Sequence, residues 1–192
     1  FKLPGIYGAV MIENNLKPHL PIVGVMGSGT SPHEGRASRL GCWLAKEGVH
    51  LLTGGGGGVM TSVSKAFYKF PGRRGSVIGI IPCQENSKLP KPGYPNKWVE
   101  IPIYTHLPFS GERGAEPGSR NHINILSSDV IVALPGGPGT VSELELAIQY
   151  QRQVIAYLNS PVELACIPGQ IPVLKDFGEV CKFVESILSK PD

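Results

Sequence analysis

The sequence predicts an α/β domain of Rossmann type, a parallel sheet flanked by helices on both faces. Three observations predict it. Apolar runs of strand length alternate with amphipathic stretches of helix length along most of the 192 residues. Three of those apolar runs end in glycine turns that feed a helical pattern, at residues 27–29, 54–58 and 136–140. At 41% hydrophobic, the chain can bury one sizeable core, so residues 1–192 read as a single domain with residues 1–20 as an N-terminal extension.

Ile22-Val23-Gly24-Val25-Met26 is the first buried strand. After Gly27-Ser28-Gly29-Thr30, the run Ser31-Pro32-His33-Glu34 reads as a capping box with proline at the first helical position. The helix is expected to reach about Glu47, with Leu40, Trp43 and Leu44 inward and Gly48 ending it. Residues 49–53 form the second strand and 59–70 the second helix; residues 76–82 and 99–103 are the third and fourth strands. Residues 83–98, rich in Pro, Lys, Gly and Asn, and residues 105–119, with Gly111, Gly114, Pro117 and Gly118, are irregular. Long irregular stretches are uncommon in a compact domain and often serve as lids or binding loops. Residues 120–127 read as a helix and Val130-Ile131-Val132-Ala133-Leu134 as a buried strand. Thr140 is then expected to N-cap a helix carrying Leu144, Leu146, Ala147, Ile148 and Tyr150, of which Leu144, Ile148 and Tyr150 suit either the core or a subunit interface. Residues 153–158 are another strand, and 176–189 an amphipathic helix presenting Phe177, Val180, Phe183, Val184, Ile187 and Leu188.

Composition excludes several functions. A net charge of +3 with 17% charged residues is too mild for nucleic acid as the main partner. Arg73-Arg74, the densest basic cluster, sits between Gly72 and Gly75 as an exposed turn. Cys42, Cys83, Cys166 and Cys181 are far apart, with no CxxC, so thiols in a reducing cytoplasm are expected and no metal site. Residues 1–21 resemble neither a signal peptide nor a membrane span; Ile6, Val10, Met11 and Ile12 are expected to pack on the body or on a partner subunit.

The sequence Pro135-Gly136-Gly137-Pro138-Gly139-Thr140 places glycines between a buried strand and a helix start. Residues without a Cβ allow φ > 0 and close approach of a ligand to the backbone. Unpaired first-turn N–H groups and the helix dipole favour an anion there, so a phosphate is expected on Gly137, Gly139 and Thr140. Open α/β sheets bind ligands beyond the carboxyl ends of their strands, which adds Gly27, Ser28, Gly29, Gly54, Gly55 and Gly56 to the expected site. Each glycine turn alone is ordinary punctuation; together they point to a nucleotide-like small molecule bearing phosphate. The first turn, Gly27-x-Gly29-x-x-Pro32, lacks the third glycine of a dinucleotide fingerprint, and no acidic residue closes the second strand. There is no GxxxxGK[ST] either, so both NAD and Walker-type NTP binding are excluded.

Two charged residues stand out. Glu143 either completes a capping box with Thr140 or faces a ligand, and residue chemistry alone leaves both open. A carboxylate one turn from a phosphate needs a cation nearby. Arg120 is that candidate, since the start of its own helix is a poor place for a positive charge; its structural alternative is a surface salt bridge. Were an N-glycosidic bond cleaved here, a fixed carboxylate would stabilise the positive charge developing on the sugar.

Pro135-Gly136-Gly137-x-Gly139-Thr140-x-x-Glu143 resembles the PGGxGTxxE signature of the Lonely Guy (LOG) family, with Arg120 upstream at the spacing that family shows. The resemblance spans most of residues 21–158. It implies a Rossmann-like homodimer or larger homo-oligomer that hydrolyses a nucleoside 5′-monophosphate to free base and ribose 5-phosphate, with no cofactor or metal required. Arg120 and Glu143 would be its catalytic pair. Around Arg120 the sequence departs: family enzymes read MHxRKxxM, whereas Arg120-Asn121-His122-Ile123-Asn124 is similar to the molybdenum-cofactor carrier branch. That branch implies Asn121 as a ligand contact and the molybdenum cofactor, a pterin with a terminal phosphate, as cargo. Members of the superfamily also carry a lysine decarboxylase label, but nothing around Lys65 resembles a pyridoxal-phosphate site.

Overall fold

The computed structural model describes residues 19–164 and 166–189; most of the N-terminal extension, with Ile6, Val10, Met11 and Ile12, lies outside them. The chain runs β1 (Ile22–Met26), α1 (Glu34–Glu47), β2 (His50–Thr53), α2 (Gly58–Lys69), β3 (Val77–Ile81) and β4 (Ile101–Tyr104). It continues through α3 (Asn121–Leu126), β5 (Val130–Ala133), α4 (Pro138–Gln149), β6 (Gln153–Tyr157), β7 (Val173–Leu174) and α5 (Phe177–Leu188). All strands are parallel in one sheet of order β4-β3-β2-β1-β5-β6-β7, as the alternation of elements predicts.

Both sheet faces are covered, and the strand period shows how. Val130 and Val132 point into a cluster with Leu40 and Leu44 of α1, Val63 and Phe67 of α2, and Val180 and Val184 of α5. Ile131 and Ala133 point the other way, against Ile125 of α3 and Leu144, Leu146 and Ala147 of α4. Central strands buried on both faces read as continuous apolar runs for this reason. Leu144 therefore belongs to the core, and the Tyr150 hydroxyl bonds His122 Nδ1 at 2.7 Å. The edge strand β4 leaves Ile101 and Ile103 each 44% exposed. Among the described residues no helix is long and apolar enough to cross a membrane.

Three local expectations are corrected. Helix α1 begins at Glu34 behind His33, whose backbone is left-handed (φ 40°), and no capping box forms. The Ser28 hydroxyl instead accepts the Thr30 and Ser31 N–H groups, holding Ser31 in the turn, while the Glu34 carboxylate receives the Ser62 hydroxyl of α2 at 2.7 Å. Helix α4 is capped by Gly137, with Pro138 in its first turn, so Thr140 lies inside the helix and Glu143 is free of any cap. Arg73 is not a free turn residue: it donates to the Tyr68 and Gly75 carbonyls and to Glu100, tying α2 to the start of β4. The short β7 was not legible in the sequence, because two residues carry no period.

A two-pronged ion pair fastens α1 to the turn after β6. Arg36 donates to both Glu163 oxygens at 2.6 Å, and Glu163 also accepts the Asn159 N–H. The Arg36 hydrogen bonds, with the backbone donors adding to them, pull the Glu163 carboxyl down to about 2 against the cost of burial. Glu163→Gln should lower the unfolding free energy by roughly 1 kcal/mol at neutral pH. A folded pKa below the ordinary 4.5 means that this stabilisation is complete above 4.5 and fades as pH falls towards 2. Urea unfolding of the two proteins should therefore converge on acidification; a gap independent of pH would contradict the pairing.

Candidate functional site

The strand order reverses between β1 and β5, where Met26 pairs with Ala133. Beyond their carboxyl ends the glycine turns are joined: Ser28 N–H donates to the Pro135 carbonyl and Val59 N–H to the Ser28 carbonyl, both at 2.9 Å. A cavity of about 320 Å³ opens at this switch point, the position expected for a ligand cleft in an open α/β sheet.

One wall is the start of α4. Thr140 and Val141 N–H groups both donate to the Gly137 carbonyl, whereas the Gly139 N–H has no partner among the described residues. The expected φ > 0 is not used here: Gly137 has φ −106°, and neither Gly136 nor Gly139 is left-handed. Gly136 is required for another reason, since a Cβ there would collide with the Thr140 side chain and meet the Ser28 nitrogen at 3.0 Å. Around Gly137 there is open space, while a Cβ on Gly139 would meet Gly111 Cα at 3.2 Å.

Arg120, immediately before α3, lies in the floor of the cleft and is only 4% exposed. Its guanidinium occupies the place a side chain at Gly54 would fill. Nε and Nη1 have no hydrogen-bond partner among the described residues. A guanidinium stays charged at any working pH, and burying it unpaired is costly. Glu143 is 8% exposed and accepts a hydrogen bond from Asn124 Nδ2 at 3.2 Å. Burial pushes its carboxyl up to about 7, against the Arg120 charge and the Asn124 hydrogen bond, which both pull it down. None of the ion pairs within 4.0 Å joins Arg120 to Glu143.

Of the residues singled out in the sequence, the cleft brings together Gly27, Ser28, Gly29, Gly54, Arg120, Asn121, Gly137, Gly139, Thr140 and Glu143. Gly55, Gly56, Pro135 and Gly136 do not line it. Gly56 makes room for the Tyr94 ring, whose nearest atoms would stand 2.8 Å from a Cβ there. Tyr94 from the 83–98 loop, Ser110 and Gly111 from the 105–119 loop, and Met60 of α2 complete the wall without having been foreseen individually. Only the length and irregularity of those loops signalled them. His122 is structural, its Nε2 bonding the Glu116 carbonyl at 2.9 Å.

Fold and cleft define a Rossmann-like α/β protein with its crevice at the switch point. The chain belongs to the SLOG cluster4 family, whose model matches residues 20–170. A molybdenum cofactor binding protein from Rippkaea orientalis is 31% identical with a TM-score of 0.70, covering 90% of this chain and all of that one. The molybdenum cofactor carrier protein of Chlamydomonas reinhardtii is 30% identical with a TM-score of 0.67 over the same shares. A probable cytokinin riboside 5′-monophosphate phosphoribohydrolase of Oryza sativa subsp. japonica is 31% identical over 155 residues, 78% of this chain but 56% of its own length. The chain thus spans little more than half of that relative.

The raised Glu143 carboxyl has a measurable consequence. Between the ordinary value of 4.5 and about 7 the folded state holds a proton that the unfolded chain has lost, so Glu143 costs stability as pH rises through that window. Glu143→Gln removes the cost: its stability relative to wild type should grow by on the order of 2 kcal/mol between about pH 5 and pH 8. Denaturant unfolding at the two pH values checks it, and a constant difference would place the carboxyl in a polar setting.

Proposed function

We propose that this chain binds a phosphate-bearing, nucleotide-like small molecule in the cleft and serves as a carrier of molybdenum-cofactor type. The observation behind this reading is Arg120, a buried cation with two unpartnered nitrogens that lines the same cleft as the unpaired Gly139 N–H at a helix start. An anion with several oxygens meets both needs at once, and a terminal phosphate is such a group. The cofactor-binding protein of Rippkaea and the carrier of Chlamydomonas align over their entire length, and Arg120-Asn121 supports the same branch. In this reading Arg120, Asn121 and the α4 turn hold the phosphate end, no cofactor beyond the cargo is needed, and the protein works as a cytoplasmic homodimer or larger homo-oligomer.

Glu143 favours a second reading, phosphoribohydrolase activity. In that reaction water adds to the ribose C1′ while the C1′–N bond breaks and the base leaves with its bonding pair and a proton. A carboxyl near 7 at the cleft is partly ionised at neutral pH, able to stabilise the oxocarbenium-like sugar when charged.

Mass spectrometry of the small molecule that copurifies, with release of free base from AMP, GMP, CMP, UMP and a cytokinin nucleotide, separates the two. The carrier reading expects a pterin and no turnover. Turnover that falls about two to four orders of magnitude in Glu143→Gln, with affinity preserved, would establish the hydrolase instead. Gly137→Val should abolish phosphate-dependent binding while the fold is kept, at a cost of about 1 kcal/mol for losing a favoured N-cap residue, because a Cβ there meets no protein atom within 4 Å; unchanged binding would remove the phosphate from that turn.

A further inference from the structure

The cleft lining combines two kinds of chemistry. The Gly139 N–H and the Arg120 guanidinium supply donors and charge, while Met60 and Tyr94 supply a thioether and an aromatic ring to the same lining. Gly56, itself outside the lining, brings Met60 and Tyr94 together: its N–H lies 3.4 Å from Met60 Sδ, and the Tyr94 ring occupies the space its missing side chain leaves. Neither side chain is placed by chance. Asn96 fastens the 83–98 loop to the glycine turn, its N–H donating to the Gly55 carbonyl at 2.7 Å and its Nδ2 to the Gly56 carbonyl at 2.9 Å. The Thr61 hydroxyl secures the same Gly56 carbonyl from α2 at 2.9 Å. The Tyr94 ring centroid is 5.9 Å from the Arg120 guanidinium carbon, so the aromatic wall and the buried cation are neighbours.

We infer that Tyr94, backed by Met60, is the platform for the planar nitrogen heterocycle of the ligand, and so selects ring-bearing phosphates over simple sugar phosphates. This rests on the ligand-binding reading above. A flat polarisable ring gains from packing on an aromatic face and a thioether, and such contact is indifferent to the ring's hydrogen-bond pattern. A purine base and a pterin share this chemistry. Tyr94 and Met60 therefore set the class of ligand, while the phosphate contacts set its orientation.

Calorimetric titration of the full chain with AMP, neopterin monophosphate and ribose 5-phosphate tests the assignment. Tyr94→Leu should weaken the ring-bearing probe by roughly 5- to 100-fold and leave ribose 5-phosphate within about twofold, whereas Tyr94→Phe should match wild type. Whichever ring-bearing probe binds wild type more tightly identifies the source of the ring. Tyr94→Trp gives an independent readout: its fluorescence should be quenched by the ring-bearing probe and not by ribose 5-phosphate. Undiminished binding of that probe to Tyr94→Leu overturns the platform while leaving the ligand-binding reading intact. Equal loss of all three probes also overturns it, since Tyr94 would then act through Arg120. Failure of wild type to bind any of the three overturns both.

Discussion

The burial of the Arg120 guanidinium is the constraint on which the rest of the site depends. It remains charged, it lies where Gly54 has no side chain, and two of its nitrogens find no partner among the described residues. A protein accepts such a cost where the charge is used. Three features follow from it. The second glycine turn must begin with a residue lacking a Cβ. Glu143 must stay near enough to feel the positive charge without neutralising it, and Asn124 holds its carboxyl by a hydrogen bond. The cleft must open where β1 and β5 part, because only there does Arg120 meet the helix start that shares its preference for anions.

The glycine turns are explained by the protein's own packing as much as by a ligand. Gly54 and Gly56 admit the Arg120 and Tyr94 side chains, and Gly136 admits Thr140. In each case a side chain from another element, or from the next helix turn, is brought to the cleft through a gap in the backbone surface. Glycine enrichment at the switch point thus measures how many groups converge there, and it carries information about function only through what those groups are.

Much of the architecture was legible in the sequence for a physical reason. The central strands are buried on both faces, so Val130 to Ala133 and Val77 to Ile81 announce themselves as apolar runs, and a glycine turn marks the end of the first. Helix starts were less legible. Ser31 and Thr140 have the chemistry of caps, but competing local hydrogen bonds of the Ser28 hydroxyl and the fixed φ of Pro138 moved the true starts to His33 and Gly137. At the site, Arg120, Asn121 and Glu143 could be singled out because they sit in a recognisable pattern. Tyr94 could not, because its role comes from contact with a segment distant in sequence, which no local spacing encodes; Asn124 stood in the same pattern, but its bond to Glu143 did not show there.

The central claim is that Arg120 holds the phosphate of the ligand. It is tested most directly by comparing AMP with adenosine, two ligands that differ only in that phosphate, on wild type and Arg120→Ala. The account predicts that wild type binds AMP at least tenfold more tightly than adenosine, about 1.4 kcal/mol or more, and that Arg120→Ala loses most of this preference while its affinity for adenosine is little changed. An AMP preference that survives intact in Arg120→Ala would contradict it.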